Sequence, residues 1–323
     1  MLLVQNANRA PGAQHLTTVE AFLYDGLVLQ HHTHMNHRLA TACVSLALAT
    51  TSVLPALAQD QFANVEIKTT EVATNIYLLE GAGGNIGLCT GDDGAFVIDD
   101  QFAPLAGKIL AAIEKVTDEP VTYVLNTHHH GDHTGGNEAM TGEGATVVAH
   151  ENVRKRLEEE RGEDALPVIT FNDTVTFHWN GQEILVKHVP PAHTDGDSIV
   201  FFKEANVIHM GDVFFNGAFP FVDVGSGGDL DGYIAAQEMV LDQADDDTTI
   251  IPGHGPLAKK ADLKKMNDML KDVRSRIQKA IDEGKSEDET VEADPLKDLS
   301  ETYGNGFIDG ERMTRSAYQS LTK

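Results

Sequence analysis

VTYVLNTHHHGDH, residues 121–133, is the most informative segment of this sequence for predicting the fold. Its first five residues are β-branched, aromatic or aliphatic, which predicts a buried strand over 121–125. The strand runs straight into a His-x-His-x-Asp-His pattern, in which Gly131 allows the chain to turn. Imidazole nitrogens and carboxylate oxygens are ligands that zinc prefers, so the pattern predicts a metal site at the strand end. It supplies four candidate ligands: His128, His130, Asp132 and His133.

The spacing within this cluster favours two neighbouring metal positions. Two imidazoles two residues apart can share one metal, whereas Asp132 and His133 face elsewhere and can hold a second. His129 stands at an x position, and we expect its ring to point away from the metals. Spacing alone leaves another arrangement open, in which His129 acts together with His133.

Three isolated candidates follow other predicted strands. They are His193 in PPAHTD, Asp212 in MGDV and His254 in PGHG. Each comes just past a predicted buried strand, at the end where α/β-type sheets place their ligands. One such histidine alone is more often a hydrogen-bonded structural residue. Four clusters that all follow strand ends favour a shared metal site.

The remaining sequence contains strand-like and helix-like segments without a strict strand–helix repeat. This order predicts an α+β fold with two sheets face to face and helices outside. The acidic run over 282–294 is predicted to be a solvated face or loop. The other predicted strands cover 65–70, 75–79, 86–90, 95–98, 145–149, 174–177, 183–189, 198–202, 207–210 and 249–251, and the predicted helices cover 105–116, 151–161, 230–241 and 259–283.

In their order and spacing these motifs resemble those of the metallo-β-lactamase superfamily. The resemblance runs from Ile98-Asp-Asp100 to Pro252-Gly-His-Gly255, nearly the whole region after residue 58. It implies a four-layer αββα sandwich of two mixed sheets with helices outside. It also implies two zinc ions, with iron or manganese as alternatives. The implied ligands of the first zinc are His128, His130 and His193; those of the second are Asp132, His133 and His254, with Asp212 bridging or completing the second site.

The resemblance further implies a hydrolase. A hydroxide held between the metals would attack a carbonyl, since zinc lowers the pKa of bound water to about 7. Asp132 is the candidate catalytic residue, because it could orient this nucleophile. The leading expectation is the opening of β-lactam rings, as in antibiotic resistance. Candidate substrate contacts are Asn85, Phe215 and Asn216.

Two departures from the zinc β-lactamases keep other functions open. Asp212 stands where the best-known members have cysteine, and Phe215 stands where many have a lysine that holds the substrate carboxylate. One alternative is a lactonase or a thioesterase resembling glyoxalase II, although glyoxalase II is usually intracellular. Another is a non-catalytic relay or binding protein on the same fold. A diiron redox protein fits less well, because that family has a carboxylate at the position of His130.

The net charge of the chain limits the kinds of partner that it can bind. Its 323 residues include 24 Lys and Arg against 50 Asp and Glu, a formal net charge of −26. Such a surface repels nucleic-acid phosphates and anionic membranes, which argues against partners of either kind. We expect a small-molecule substrate and a monomeric protein.

The first 58 residues are predicted to lie outside the folded domain. Residues 35–58 have a short basic start, an apolar run and the ending Ala56-Leu-Ala58, which together predict a signal peptide cleaved near Ala58. We therefore expect export to the periplasm and no membrane association after cleavage. Residues 1–34 precede this signal and are expected to be untranslated or unstructured, whereas 59–323 form the hydrolase domain. Cys89 is predicted to be a small core residue.

Overall fold

The computed structural model describes residues 61–323. The predicted signal peptide and the segment before it lie outside these residues. Among the described helices, none is both long and apolar enough to cross a membrane.

The first half of the described chain forms a seven-stranded sheet in sequence order. Strands β1 to β4 pair antiparallel, and β4 to β7 pair parallel. Strand β4 and most residues of β5 and β6 are buried, which explains their largely apolar sequences. The strands are β1 Lys68–Ala73, β2 Ile76–Glu80, β3 Ile86–Cys89, β4 Ala95–Ile98, β5 Val121–Asn126, β6 Thr146–His150 and β7 Ile169–Phe171.

A second sheet has five strands in the order β12-β11-β10-β9-β8. Its pairs are antiparallel except for β11 and β12, which are parallel. The parallel pair arises because a helix connects the two strands and returns the chain in the same direction. The strands are β8 Thr174–Trp179, β9 Gln182–His188, β10 Ser198–Phe202, β11 Val207–His209 and β12 Thr249–Ile251.

Helices cover the outer faces of both sheets. On the inner face, Phe96 and Ile98 of β4 pack against the second sheet, whereas Ala95 and Val97 face the helix after β4. This period of two gives the four layers that the sequence predicts. The helices are α1 Ala106–Ile113, α2 Gly131–Thr134, α3 Asn137–Gly142, α4 Glu151–Glu160, α5 Leu230–Gln243, α6 Lys260–Asp282, α7 Glu287–Glu292, α8 Lys297–Tyr303 and α9 Gly310–Leu321.

The structure differs from the sequence-based expectation mainly in the C-terminal region. The acidic run predicted as a face or loop contains α7, which starts in a capping box formed by Ser286 and Glu289. Acidic residues in a first turn favour the helix dipole, and Arg315 of α9 pairs with Glu287 and Asp288. Helices α8 and α9 and the three-residue strand β7 were also absent from the prediction. Cys89 is buried in the core, as predicted.

Candidate metal centre

The seven candidate ligands come together at one edge of the two sheets. His128 and His130 follow strand β5, and the short helix α2 turns Asp132 and His133 back toward them. His193 follows β9, Asp212 follows β11 and His254 follows β12. Sheet pairing therefore brings residues up to 126 positions apart in the chain, from 128 to 254, into one place.

Four side chains form the first group: His128, His130, His193 and Asp212. One potential ligand atom from each lies within 4.8 Å of the others. His193 Nε2 lies 2.8 Å from His130 Nδ1 and 3.4 Å from Asp212 Oδ2. His128 Nε2 lies 3.7 Å from the same Asp212 oxygen.

The second group consists of Asp132, His133 and His254. Asp132 Oδ2 lies 3.3 Å from His254 Nε2 and 3.6 Å from His133 Nε2. Asp212 also reaches this group, because its Oδ1 lies 3.1 Å from His133 Nε2 and 3.4 Å from His254 Nε2. Asp212 thus presents one carboxylate oxygen to each group.

Several buried polar atoms in the centre have no aligned hydrogen-bond partner. They include His128 Nε2, His133 Nε2 and Asp212 Oδ1, all of which point into the groups just described. An unsatisfied buried polar atom is costly, so a cluster of them needs a ligand. Nitrogen and carboxylate donors in this arrangement fit two divalent cations such as zinc.

Burial and charge set different protonation preferences in the two groups. Burial lowers the pKa of His193 to about 4 and holds the pKa of His128 well below its usual value. Burial opposes the charged form of His254 as well, but the carboxylates of Asp212 and Asp132 outweigh it and raise its pKa to about 9. Neutral imidazole is the form that binds a cation. The second group therefore competes with protons for a cation more than the first does.

Residues around the ligands fix the orientation of their rings. Asp99 Oδ2 lies 2.8 Å from His133 Nδ1, and the same carboxylate accepts hydrogen bonds from the backbone and hydroxyl of Thr127. Thr127 Oγ1 in turn lies 3.0 Å from His128 Nδ1. Such partners select which ring nitrogen is free for a cation. Sequence reasoning missed this role of Asp99; its position just past β4, next to β5, is the signal that could have revealed it.

Two further contacts orient the first group. Asp223 Oδ2 lies 3.0 Å from His130 Nε2, and the carbonyl of Phe221 lies 2.6 Å from His193 Nδ1. His129 belongs to neither group, and its Nε2 lies 3.4 Å from Ser226 Oγ. A third set of potential ligands, His129, His130 and Asp223, lies within 4.8 Å but shares His130 with the first group.

The glycine loop between β2 and β3 packs directly on the second group. A Cβ atom at Gly84 would lie 2.0 Å from His133 Cε1, and one at Gly83 would lie 2.7 Å from the Asp132 carbonyl. The loop is also held by hydrogen bonds, from Gly84 N to the Asp132 carbonyl and from Gln101 to the Gly84 carbonyl. The lack of a side chain at Gly83 and Gly84 therefore lets the loop backbone lie directly against Asp132 and His133.

The three predicted substrate contacts have different surroundings. Asn85 is buried, and its amide donates to the carbonyls of Pro252 and Gly255, so it holds the loop that carries His254. Asn216 donates to the carbonyl of Pro256 and is not among the residues that line the cavity beside the centre. Phe215 does line that cavity, with its ring stacked at 4.7 Å on the ring of His254.

This cavity has a volume of about 660 Å³. Its wall contains four of the candidate ligands together with five phenylalanines: Phe102, Phe215, Phe219, Phe221 and Phe307. A larger hollow of about 810 Å³ lies beside α1, but no candidate ligand lines it. The phenylalanine-lined cavity therefore gives a small molecule access to the centre.

Comparison with known proteins agrees with this geometry. A family profile described as the metallo-beta-lactamase superfamily matches residues 69–254. Hydroxyacylglutathione hydrolases from Polaromonas sp. and Rhodospirillum rubrum are 34% and 32% identical over 154 and 143 residues, covering 47% and 44% of this chain. The chain spans about half the length of these relatives, 55% and 51%.

Solved structures show the same fold. A metallo-beta-lactamase from Pontibacter korlensis has a TM-score of 0.57 and 21% identity, over 64% of this chain and 99% of that one. A sec-alkyl sulfatase has a TM-score of 0.64 and 15% identity, over 79% of this chain and 50% of that one. At these identities the likeness concerns the fold alone.

Proposed function

The chain belongs to the metallo-beta-lactamase superfamily, and from this premise we propose that it is a dinuclear metal-dependent hydrolase that cleaves a thioester or a lactone. One observation carries the proposal. Asp212 directs one oxygen to each of two histidine groups, so a single carboxylate joins two cation positions. The protein residues that hold the cations are those of the two groups, with zinc as the cation that best fits their donors.

The chain's own residues prepare the reaction. When bound, two such cations lower the pKa of water to about 7 and polarise a carbonyl. Asp132 lines the cavity, and in this proposal its carboxylate accepts a hydrogen bond from the attacking water and orients it. Burial opposes ionisation of Asp132, but His133 and His254 outweigh it and lower its pKa, so the carboxylate remains an acceptor. The buried histidines beneath it keep bulk water from the ligand atoms.

The proposed substrate, a thioester or a lactone, differs from the β-lactam expected from the sequence. The relatives that support it carry a name that states hydrolysis of hydroxyacylglutathione, a thioester. Within the described residues, the cavity wall has no lysine or arginine to hold the carboxylate of a β-lactam. At the position of the missing lysine, Phe215 stacks on His254 instead. Thioesters and lactones are activated acyl compounds, and those without a carboxylate need no such cation.

Export to the periplasm remains part of the proposal. It rests on the predicted signal peptide over 35–58, and it would separate the enzyme from a cytoplasmic pool of substrate. Sequencing the N-terminus of the exported protein tests it, with Gln59 as the expected first residue. A mature protein that keeps residues 35–58 would contradict export by cleavage.

The central experiment measures metal content and hydrolysis together, on protein expressed from Gln59 onward. We expect about two zinc ions per chain, turnover of thioesters or lactones, and loss of turnover with a chelator. His128→Ala and Asp132→Ala should abolish hydrolysis while the far-UV circular dichroism stays that of the parent. Asp212→Asn should lower the content of both cations, because both groups use this carboxylate.

Asp242→Asn, on the exposed face of α5, provides a matched control that should leave metal content and rate unchanged. Folded protein that binds no metal would refute the dinuclear centre. If metal-loaded protein hydrolyses nitrocefin, a β-lactam, faster than any thioester or lactone, the proposed substrate class is wrong and β-lactams become the better-supported substrate.

A further inference from the structure

The wall of the cavity points to the kind of acyl group that the enzyme accepts. We propose that this cavity recognises an uncharged, apolar acyl group, aromatic or medium-chain alkyl, and that Phe307 is a residue that determines this specificity. The inference rests on the proposed hydrolase function and names the substrate class of the same site.

The aromatic wall begins at the metal ligands themselves. The Phe215 ring is stacked on His254 with a centroid distance of 4.7 Å, and the Phe221 ring is stacked on His130 at 5.9 Å. Phe221 also contacts the ring of His193 at 5.8 Å. A carbonyl held at the ligands therefore has its acyl substituent against phenylalanine rings, which bind apolar groups by area burial and ring packing.

Among the residues that the structure describes, the wall offers no lysine or arginine to an anionic substituent. Over residues 61–323, the only ionisable groups that line the cavity are candidate ligands: His130, Asp132, Asp212 and His254. Arg312 lies nearby, but it lines a separate hollow that shares the Phe221 and Phe307 walls. An anionic group such as glutathione, with its two carboxylates, therefore finds no lysine or arginine to pair with in the described part of this wall, on a chain whose formal net charge is −26.

Phe307 is supplied by a part of the chain beyond the region that matches the family profile, residues 69–254. It lies in the loop between α8 and α9, and its side chain is 73% exposed although it borders the cavity. Its ring packs edge-on against Phe221 at 6.1 Å, and the guanidinium of Arg312 lies 5.3 Å from its centroid. An exposed phenylalanine held over a cavity gains contact area when an apolar ligand enters.

The loop that carries Phe307 is fixed at both ends. Before it, the Tyr303 carbonyl accepts a hydrogen bond of 2.8 Å from Phe219 N, and the two rings pack at 5.9 Å. After it, Ile308 is buried, and Arg312 donates to the Phe307 carbonyl. Hydrogen bonds and packing on both sides of the loop therefore fix the position of the Phe307 ring, as expected of a residue that determines specificity.

The test compares two acyl groups, acetyl and phenylacetyl, on two thiols, neutral N-acetylcysteamine and anionic glutathione. For zinc-loaded protein we expect kcat/KM to be about tenfold or more higher for phenylacetyl than for acetyl thioesters. We also expect it to be higher for thioesters of N-acetylcysteamine than for those of glutathione.

Three variants test the role of Phe307. Phe307→Ala should reduce the ratio of kcat/KM for phenylacetyl to that for acetyl thioesters several-fold. Phe307→Lys should raise the use of glutathione thioesters, because it adds the missing cation. Val168→Ala, at an equally exposed apolar residue (71%) away from the cavity, should leave the ratio unchanged.

Binding of non-hydrolysable ketone analogues of the four thioesters, measured by calorimetry, gives the same ranking without turnover. A preference for the glutathione compounds, or an unchanged ratio in Phe307→Ala, would overturn the inference while the hydrolase function stands. If no thioester or lactone is hydrolysed, the proposed function is wrong. Tighter binding of the phenylacetyl analogues would still support an apolar acyl pocket, and tighter binding of the acetyl or glutathione analogues would contradict it.

Discussion

Replacing Asp99 by asparagine tests whether residues behind the ligands prepare them for a cation. Asp99 is fully buried and lies at a φ of 61°, a conformation that asparagine accepts, so the backbone need not change. Its Oδ1 accepts from Thr127 N, and its Oδ2 receives both the Thr127 hydroxyl and His133 Nδ1, each at 2.8 Å. The substitution keeps the shape of the side chain and exchanges one acceptor for a donor.

Neither orientation of the asparagine amide preserves these contacts. If the amide nitrogen faces His133, it forces Nδ1 to become an acceptor and moves the proton to Nε2, the atom that should bind the cation. If it faces Thr127 N, two donors oppose each other. Loss of such a partner costs about 10- to 100-fold in metal affinity, or about 1.4 to 2.7 kcal/mol.

The neighbouring residue offers a matched control. Asp100 is equally buried, but its Oδ1 accepts a hydrogen bond from Gly136 N instead of contacting a ligand or its partners, and burial raises its pKa well above the usual value. Asp100→Asn therefore removes no side-chain contact with a candidate ligand, and we expect less than about a threefold change in affinity. Both variants are titrated with zinc in competition with a chromophoric chelator, and circular dichroism checks their folding. Wild-type affinity for the second zinc in Asp99→Asn, or an equal loss in Asp100→Asn, would refute the reasoning.

Two further substitutions and one labelling experiment test how tightly the glycine loop and the core around Cys89 are packed. Gly84→Ala would place a Cβ 2.0 Å from His133, so we expect a large loss of activity and about 1–3 kcal/mol of stability in urea unfolding. Gly107→Ala on α1, where a Cβ meets nothing within 4 Å, should be neutral or slightly stabilising; equal behaviour of the two variants would contradict the close approach. Burial raises the pKa of the Cys89 thiol to about 11, so at pH 8 the thiol of the folded protein should resist Ellman's reagent and react only after unfolding. Rapid reaction of the native protein would show that Cys89 is accessible.

Much of the centre could be predicted because its donors are encoded locally. His-x-His-x-Asp-His follows one strand within six residues, and the strands over Ala95–Ile98, Ser198–Phe202 and Thr249–Ile251 have the predicted bounds. Local periodicity identifies such elements, and the residues just past their ends are candidates for ligands. The four-layer α+β fold follows from the same pattern.

The β-lactam expectation shows the limit of motif reasoning. The ligand pattern identifies a superfamily and its metal chemistry, but substrate choice depends on the surface around the ligands. That surface includes Phe307, which is separated from His254 by more than 50 residues and is carried by helices that the sequence did not predict. These helices bury Tyr303, Met313 and Ala317 in a core shared with distant elements, and a short segment of sequence does not reveal such packing.

The donor types, the strands that carry them and the sign of the overall charge can be predicted from sequence, since each depends on neighbouring residues or on composition. The tertiary structure shows that Asp212 faces both histidine groups, where the sequence left open whether it bridges them, and that Asp99 supports His133. It also shows that Asn85 holds the His254 loop. These contacts depend on which strands pair and in which register: Ile98 lies beside Leu125, so the residues that follow, Asp99 and Thr127, meet at the sheet edge. Such long-range pairing is set by burial of the whole sheet, which no local segment encodes.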